Sequence, residues 1–196
     1  MHPITILIPT TPERRERLST CVKALYENSD HPFTLMTYEN NIGWVGAVLH
    51  MLSLLNATDI VCIINDDCIP QKGWLKTMVE EYFSAFSDGI GLAQPNDGIM
   101  NGSVATLPMG QVGYLEKNIC SEYKSYYADT ELTENAVRDG KYIYVDTAVI
   151  EHHHWSVSKG FHDATYASQE VNLQHDMDLY SKRRREREFN SEQEII

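Results

Sequence analysis

The chain has no long hydrophobic run and little cysteine. No apolar segment approaches the roughly 20 residues that cross a bilayer, and the first four residues lack the basic start of a signal peptide. The 4 cysteines show no Cys-x-x-Cys spacing, which argues against a zinc knuckle or a disulfide framework. We therefore expect a cytoplasmic protein with reduced thiols and no transmembrane segment.

Basic residues are scarce relative to acidic ones. The 196 residues carry 16 Lys and Arg against 28 Asp and Glu, a formal charge of −12. This balance argues against a protein that holds polyanions by bulk electrostatics, although a local basic patch is compatible with it. The length and the 42% hydrophobic composition favour one domain with a full core and exclude disorder.

Three signatures of common enzyme classes are missing. Without Gly-x-x-x-x-Gly-Lys-Ser/Thr a P-loop kinase or ATPase is disfavoured, and without Gly-x-Gly-x-x-Gly a nicotinamide enzyme is disfavoured. The Gly-x-Ser-x-Gly turn of α/β-hydrolases is absent too.

Short apolar runs alternate with amphipathic stretches in the first half of the chain. Strands are predicted at Ile4 to Ile8, Phe33 to Tyr38 and Asp59 to Ile64, and each is followed by apolar residues at helical spacing. Thr10 to Pro12 is typical of a helix start. The alternation predicts a single α/β domain with a doubly wound, mostly parallel sheet flanked by helices.

The second half is less regular. Residues 95 to 125 are rich in Gly, Pro, Asn and Ser, which predicts loops and edge strands. Strands are expected at Tyr142 to Val145 and Thr147 to Ile150. The charged tail contains Lys182 to Arg187, which is interpreted either as a solvated helix face or as a contact for a phosphate-bearing acceptor.

Four polar segments stand directly after predicted strands, where ligands bind in doubly wound sheets: residues 10–15, 39–43, 65–67 and 152–154. The last two offer metal ligands. Asn65, Asp66 and Asp67 offer the hard oxygens that Mg²⁺ or Mn²⁺ prefers, but Asp residues also cap following helices. The histidine run at 152–154 is either an exposed turn or a source of a metal ligand. Both interpretations of each segment remain open at this point.

Four segments in order, between about residues 4 and 155, together resemble the family 2 glycosyltransferases of the GT-A fold. They are the opening strand that ends in Pro9-Thr10, Glu39 with Asn41-Ile-Gly43, the Asp-x-Asp-like Asn65-Asp66-Asp67 before Gly73-Trp74-Leu75, and Ala128-Asp129 with the strand that ends at His152. Two positions depart from the family pattern, because Asn65 and Ala128 replace acids.

The resemblance implies a role for each matching residue. The donor nucleotide sugar would contact Pro9, Thr10, Thr11, Arg14, Glu39, Asn41, Gly43, Asn65 and Asp66. Asp67 and His152 would bind Mn²⁺ or Mg²⁺, with His154 as a competing ligand, and Asp129 would be the general base of an inverting transfer. An N-cap is the alternative role for Asp129.

The implied activity is a hexosyltransferase-like reaction in which a nucleoside-diphosphate sugar, favoured as a UDP-sugar, donates to an acceptor hydroxyl. Residues 1–97 would bind the donor, 98–173 the acceptor, and 174–196 form the charged tail. The acceptor is expected to be a saccharide, a lipid-linked group or a modified nucleic acid such as hydroxymethylated phage-type DNA. Tyr114, Tyr123, Tyr126 and Tyr127 either stack on sugars or belong to the core.

Two other functions fit the same residues. A nucleotidyltransferase shares a nucleotide-binding α/β sheet and a carboxylate-bound metal, but usually carries a glycine-rich basic loop after the first strand. Thr10 to Arg15 has arginines and no glycine. A non-catalytic nucleotide- or sugar-binding domain would explain Asn65 and Ala128.

Overall fold

The computed structural model describes residues 2–40, 42–154 and 164–193, and within them seven strands form one twisted sheet. The strands are β1 (Ile4–Thr10), β2 (Phe33–Glu39), β3 (Ile60–Ile63), β4 (Cys68–Pro70), β5 (Leu92–Asn96), β6 (Met109–Gln111) and β7 (Tyr142–His152). Their order in the sheet is β2-β1-β3-β6-β5-β7-β4. The three predicted strands of the first half are confirmed, and the two predicted between residues 142 and 150 are one continuous strand.

Helices cover both faces of this sheet. They are α1 (Arg15–Asn28), α2 (Gly43–Leu52), α3 (Trp74–Ala85), α4 (Val112–Asn118), α5 (Ala128–Arg138), α6 (Ala164–Glu170) and α7 (Leu173–Gln193), with a short 3₁₀ helix at Pro12–Arg14 before α1. Alternate residues of β1 point to opposite cores, Ile6 towards α1 and α3 and Leu7 towards α2 and α5. Since both faces are buried, the strands read as continuous apolar runs.

Pairing in the sheet is parallel for β1 with β2 and β3, and for β5 with β7. β6 is antiparallel to both β3 and β5, and β4 is antiparallel to β7. The longest ladder, β1 with β2, is parallel. The predicted α/β class, with a mostly parallel sheet flanked by helices, is confirmed.

The prediction of loops and edge strands for residues 95 to 125 is wrong in part. β6 lies in the middle of the sheet, and α4 follows it directly. Three residues are too few to show a hydrophobic period, and the central Gly110 hides the strand further. The glycine allows a close approach of the two strands, because a Cβ there would lie 3.0 Å from the carbonyl oxygen of Gly91.

The prediction that the basic residues of the tail form a solvated helix face holds for some of them and not for others. Lys182 and Arg184 are exposed on α7. Arg183 and Arg187 instead bind the buried carboxylate of Glu131 on α5, each with one nitrogen at 2.8 Å from Oε1. These two arginines therefore attach α7 to the domain through ion pairs with Glu131.

In the part of the chain that the structure describes, none of the helices combines the length and the apolar character needed to cross a membrane.

Candidate active site

A cavity of about 830 Å³ opens at the carboxyl ends of β1, β3 and β7. Parallel strands place their following loops at one edge of the sheet, which is why residues distant in sequence meet there. The cavity is lined by the predicted site residues Pro9, Thr10, Thr11, Arg14, Gly43, Asn65, Asp66, Asp67, Asp129, His152 and His154.

Two predicted donor contacts are not among these lining residues. Glu39 ends β2, and its carboxylate accepts hydrogen bonds from Nε and Nη2 of Arg15 at 3.0 and 2.8 Å on the surface. That pairing lowers the pKa of Glu39. Asn41 lies outside the described residues. The nucleotide contacts of both residues stay predictions.

Gly43 begins α2 at the cavity wall. Its φ of +80° is a left-handed conformation, and a Cβ would lie 2.6 Å from the carbonyl oxygen of Lys124. Both facts require glycine. The next residue, Trp44, donates its indole N–H to Oδ1 of Asn65 at 3.1 Å, so α2 orients the amide at the head of the acidic turn.

The two acids after β3 are compensated by Arg14, a partly buried arginine. Thr10 donates its hydroxyl to Oδ2 of Asp66 at 2.7 Å. Arg14 places Nη1 at 3.2 Å from Oδ1 of Asp66 and Nη2 at 3.0 Å from Oδ2 of Asp67. One guanidinium thus bridges adjacent carboxylates that would otherwise repel each other.

These neighbouring acids have different electrostatic environments. Burial raises the pKa of Asp66 to about 6, outweighing Arg14 and Thr10. Burial alone would also raise the pKa of Asp67, but His152, Arg14 and Tyr166 outweigh it and lower the value. Neither acid caps α3, whose N-cap is Gly73 without a side-chain bond. The helix-capping interpretation of the acidic turn is therefore wrong.

Asp67 and His152 face each other across a gap that suits a cation. Oδ1 of Asp67 is buried and makes no hydrogen bond in the described structure, although Nε2 of His152 is 3.2 Å away. The amide of Asn65 lies 3.4 Å from the same nitrogen. A buried carboxylate oxygen and an imidazole nitrogen in this arrangement fit a divalent metal.

Asp97 supports His152 from the other side of the ring, and the sequence analysis missed it. Its Oδ2 lies 3.5 Å from Nδ1 of His152. Ile99 donates its backbone N–H to Oδ1 at 3.0 Å, and Thr106 donates its hydroxyl to Oδ2. The position just after β5, at the carboxyl edge of the sheet, was the signal that could have identified it.

The two carboxylates also set the protonation of His152. Burial alone would lower the pKa of its imidazole, but Asp67 and Asp97 together raise it to about 9. The ring is therefore protonated at neutral pH and pairs with both carboxylates.

The other histidines of the run are placed differently. His153 is half-exposed and lies 3.3 Å from a carboxylate oxygen of Glu151. His154 lines the cavity, with its ring centroid 5.5 Å from that of His152 and 5.0 Å from that of Tyr166. Burial lowers the pKa of His154. His152 is thus the histidine that lies beside Asp67.

Tyr166 on α6 is a second site residue that the sequence did not reveal. It donates its hydroxyl to Oδ2 of Asp67 at 2.5 Å. The guanidinium carbon of Arg14 lies 5.1 Å from its ring centroid, in cation–π range. Together Tyr166 and Arg14 fix the outer oxygen of Asp67 and leave Oδ1 facing His152.

Asp129 lies in the first turn of α5 and lines the same cavity. Its Oδ1 accepts the backbone N–H of Thr130 at 2.7 Å. The N-cap of α5 is Tyr127, with φ +63°, so the N-cap interpretation of Asp129 is wrong. Burial raises the pKa of this carboxylate.

Helix α7 holds the loop that precedes Asp129 in the chain and forms part of the cavity wall. Asp176, fully buried on that helix, accepts backbone N–H groups from Lys124, Ser125 and Tyr126 at 2.8 to 3.2 Å. The carboxylate thereby satisfies three donors of a loop that faces the cavity. Nothing in the charged tail indicated this role.

The four tyrosines divide between core and cavity. Tyr114 and Tyr123 are buried in the core on the α5 face of the sheet. Tyr126 and Tyr127 line the cavity, and Tyr127 stacks on Tyr180 of α7 with centroids 4.9 Å apart.

No protein-family model matches the chain, and no curated protein matches it in sequence. Solved structures do match. Glucosyl-3-phosphoglycerate synthase from Mycobacterium tuberculosis, in complex with Mn²⁺, UDP and glucosyl-3-phosphoglycerate, superposes with a TM-score of 0.57 at 12% identity over 89% of this chain and 80% of its own. Staphylococcus aureus TarS superposes with a TM-score of 0.56 at 11% identity.

The chain has a GT-A-like fold. The TarS match covers 76% of this chain and only 36% of TarS. A putative glucose-1-phosphate thymidylyltransferase from Bacillus anthracis also matches, with a TM-score of 0.50 at 12% identity over 85% of this chain and 95% of its own. At 11 to 12% sequence identity, these matches show a similar fold and nothing more specific.

Proposed function

We propose that the chain is a metal-dependent glycosyltransferase of family 2 that moves a hexose from a nucleoside-diphosphate sugar to an acceptor hydroxyl with inversion. The observation that carries this proposal is the convergence of Asp67, His152 and Asp129 on one cavity at the carboxyl edge of the sheet. The fold likeness to a synthase whose structure contains Mn²⁺ and UDP supports a UDP-sugar as donor.

The donor would lie against the first half of the chain, residues 1–97, and the acceptor against residues 98–173. Thr10 and Thr11 offer hydroxyls, and Gly43 lets the chain approach closely at the start of α2. Arg14 is the only arginine or lysine among the described lining residues, which favours it for the donor diphosphate. Its present partners, Asp66 and Asp67, hold it in place.

Mn²⁺ or Mg²⁺ would be held by the Asp67 carboxylate and Nε2 of His152. When bound, the ion stabilises the charge that develops on the leaving diphosphate. Asp97 orients the imidazole for this role. Tyr166 and Arg14 keep the carboxylate from rotating, because both bind its other oxygen.

Asp129 would accept the proton of the acceptor hydroxyl as the hydroxyl attacks the anomeric carbon. Its raised pKa makes the carboxylate a stronger base than an ordinary aspartate. Tyr126 and Tyr127 lie beside it in the cavity wall, where their rings can stack on an acceptor sugar.

A nucleotidyltransferase is the second candidate, and the likeness to a putative thymidylyltransferase favours it. Such an enzyme joins a nucleoside triphosphate to a sugar phosphate and releases pyrophosphate. A third possibility is a domain that binds a nucleotide sugar without turnover, since Asn65 and Ala128 replace acids of the family pattern.

The first experiment is a thermal-shift panel of UDP, GDP, CDP and dTDP, each with and without Mn²⁺. A nucleotide at 100 times its dissociation constant adds about 2.7 kcal/mol of stability. We expect one nucleotide, most favourably UDP, to stabilise the wild type with Mn²⁺ and to lose that effect in Asp67→Ala. No response to any nucleotide would contradict a nucleotide-dependent function.

The second experiment measures release of the nucleoside diphosphate from its sugar with saccharide, lipid-linked and hydroxymethylated-DNA acceptors. Asp67→Ala and Asp129→Asn should abolish release, while Asp88→Asn, a surface acid paired with Lys141, should not. Pyrophosphate release from a triphosphate and a sugar phosphate would identify the nucleotidyltransferase instead. Nucleotide binding without turnover on any acceptor would identify a binding domain.

A further inference from the structure

A third metal-ligating side chain lies beside Asp67 and His152. Cys68 follows Asp67 in the chain and pairs directly with His152 across the β4–β7 ladder. A carboxylate oxygen of Asp67, Sγ of Cys68 and a ring nitrogen of His152 all lie within 4.8 Å of one another, and all three residues are buried. In the described part of the chain no other three such side chains lie this close.

Oδ1 of Asp67 lies within this cluster and faces His152. Asp67 is only 5% exposed, and its Oδ1 pairs with the His152 imidazole without a hydrogen bond of good geometry, so an ion in place of the imidazole proton would satisfy this buried acceptor better. Its Oδ1 is 3.2 Å from Nε2 of His152, a normal separation for two ligands of one ion. In a tetrahedral site with a metal–sulfur bond of about 2.3 Å and a metal–nitrogen bond of about 2.1 Å, Sγ and the nitrogen lie about 3.6 Å apart, so a movement of up to about 1 Å completes the set.

The open side of the cluster faces the cavity. Asp67 and His152 line the cavity, whereas Cys68 is not among the lining residues. An ion bound by the three would have the sulfur behind it and a free position in front. Three protein ligands with one open position are typical of catalytic zinc sites.

We infer that Cys68 makes this centre an Asp–Cys–His site that binds thiophilic divalent ions, Zn²⁺ and Co²⁺, in preference to Mn²⁺ or Mg²⁺. The inference rests on the proposed metal centre and adds one ligand to it. A hard ion uses the oxygen and nitrogen ligands alone, while a softer ion also recruits sulfur. On binding, the metal–sulfur bond replaces the S–H bond and the proton leaves to solvent.

Titration with Co²⁺ alone tests the inference without any enzyme assay. Wild type should develop the thiolate-to-cobalt charge-transfer band, and Cys68→Ser should lose it. The Co²⁺ dissociation constant should rise at least about tenfold in Cys68→Ser, equivalent to about 1.4 kcal/mol. The Mn²⁺ constant should change by less than about twofold, because a hard ion makes little use of sulfur.

Cys62→Ser is the matched control, because Cys62 is another fully buried thiol of the same core and lies outside the cluster. It should keep both the band and the Co²⁺ affinity. If Cys68→Ser does not fold, the wild-type spectrum still tests the inference. Bound Co²⁺ without a thiolate-to-cobalt charge-transfer band would overturn ligation by sulfur.

The outcomes separate this inference from the proposed function. Co²⁺ affinity that is equal in wild type and Cys68→Ser overturns the role of Cys68 and leaves the Asp67–His152 centre standing. Failure of wild type to bind either Mn²⁺ or Co²⁺ overturns the metal centre itself and the inference with it.

Discussion

The carboxylate of Asp97 lies 3.5 Å from Nδ1 of His152, on the edge of the ring opposite to Asp67. Once Nε2 has lost its proton, donation from Nδ1 to Asp97 would hold the ring in the tautomer whose Nε2 lone pair is free. A ring in this tautomer is ready to coordinate a cation. The outer carboxylate thereby sets both the orientation and the basicity of the proposed ligand.

Asp97→Asn should weaken Mn²⁺ binding about 10- to 100-fold, because an amide cannot support the imidazole as a carboxylate does. Titration of Mn²⁺ followed by electron paramagnetic resonance measures the change. Asp88→Asn, on the surface beside Lys141, is the control and should bind as wild type does. Unaltered affinity in Asp97→Asn would show that His152 needs no such support.

Asp129→Asn should lower nucleoside-diphosphate release at least about 100-fold, the lower end of general-base contributions, and should leave donor binding intact. In wild type, burial raises the pKa of this carboxylate above its usual 3.8. The base is lost when it is protonated, so kcat/KM should fall on the acid side with a midpoint above 3.8. Asp139→Asn, at the exposed end of α5, should retain full activity; equal loss in both variants would contradict the assignment.

Stability at low pH should depend on Glu131. Burial alone would raise the pKa of its carboxyl, but Arg183, Tyr123 and Arg187 outweigh burial and lower it below the ordinary 4.5. Its stabilising contribution is therefore complete above pH 4.5 and is lost as the pH falls through the native value. Urea unfolding of wild type should weaken more steeply below pH 4.5 than that of Glu131→Gln.

At pH 7, Glu131→Gln should be less stable by about 1.5–3 kcal/mol, the contribution of hydrogen bonds to a charged group. The control is Glu188→Gln, which removes an exposed i, i+4 pair with Arg184 and should cost under about 0.5 kcal/mol. Parallel pH profiles for wild type and Glu131→Gln would refute the depressed pKa.

Removing Asp176 should loosen the cavity wall. Asp176→Ala leaves the backbone N–H groups of Lys124, Ser125 and Tyr126 without their carboxylate and should cost about 2–3 kcal/mol. Urea unfolding checks this value, and hydrogen exchange at the same three amides should speed up. Asp178→Asn, an exposed acid on the same helix, should change neither quantity; slow exchange that persists in Asp176→Ala would mean that other contacts hold the loop.

Sequence reasoning located the site where apolar runs end in polar residues. Asp67 comes after the fully buried strand β3, and His152 is the last residue of β7, so the carboxyl-edge rule brings them together. Asp97 also follows a strand, but β5 ends in Pro95 and Asn96, which obscure its hydrophobic pattern, so the position of Asp97 at the carboxyl edge was missed. Tyr166 binds Asp67, which lies 99 positions earlier in the chain, and Asp176 binds a loop that lies 50 to 52 positions earlier. No local sequence pattern indicates contacts over such separations.

Among the described residues, the short strand β6 alone joins the half of the sheet that contains β1, β2 and β3 to the half that contains β5, β7 and β4. During synthesis the first three strands emerge and can pair before residues 109–111 are made. Until then the outer edge of β3 has unpaired backbone N–H and C=O groups, with which a strand of another chain could pair. Insertion of β6 covers that edge, so three residues convert β3 from an edge strand into an interior strand.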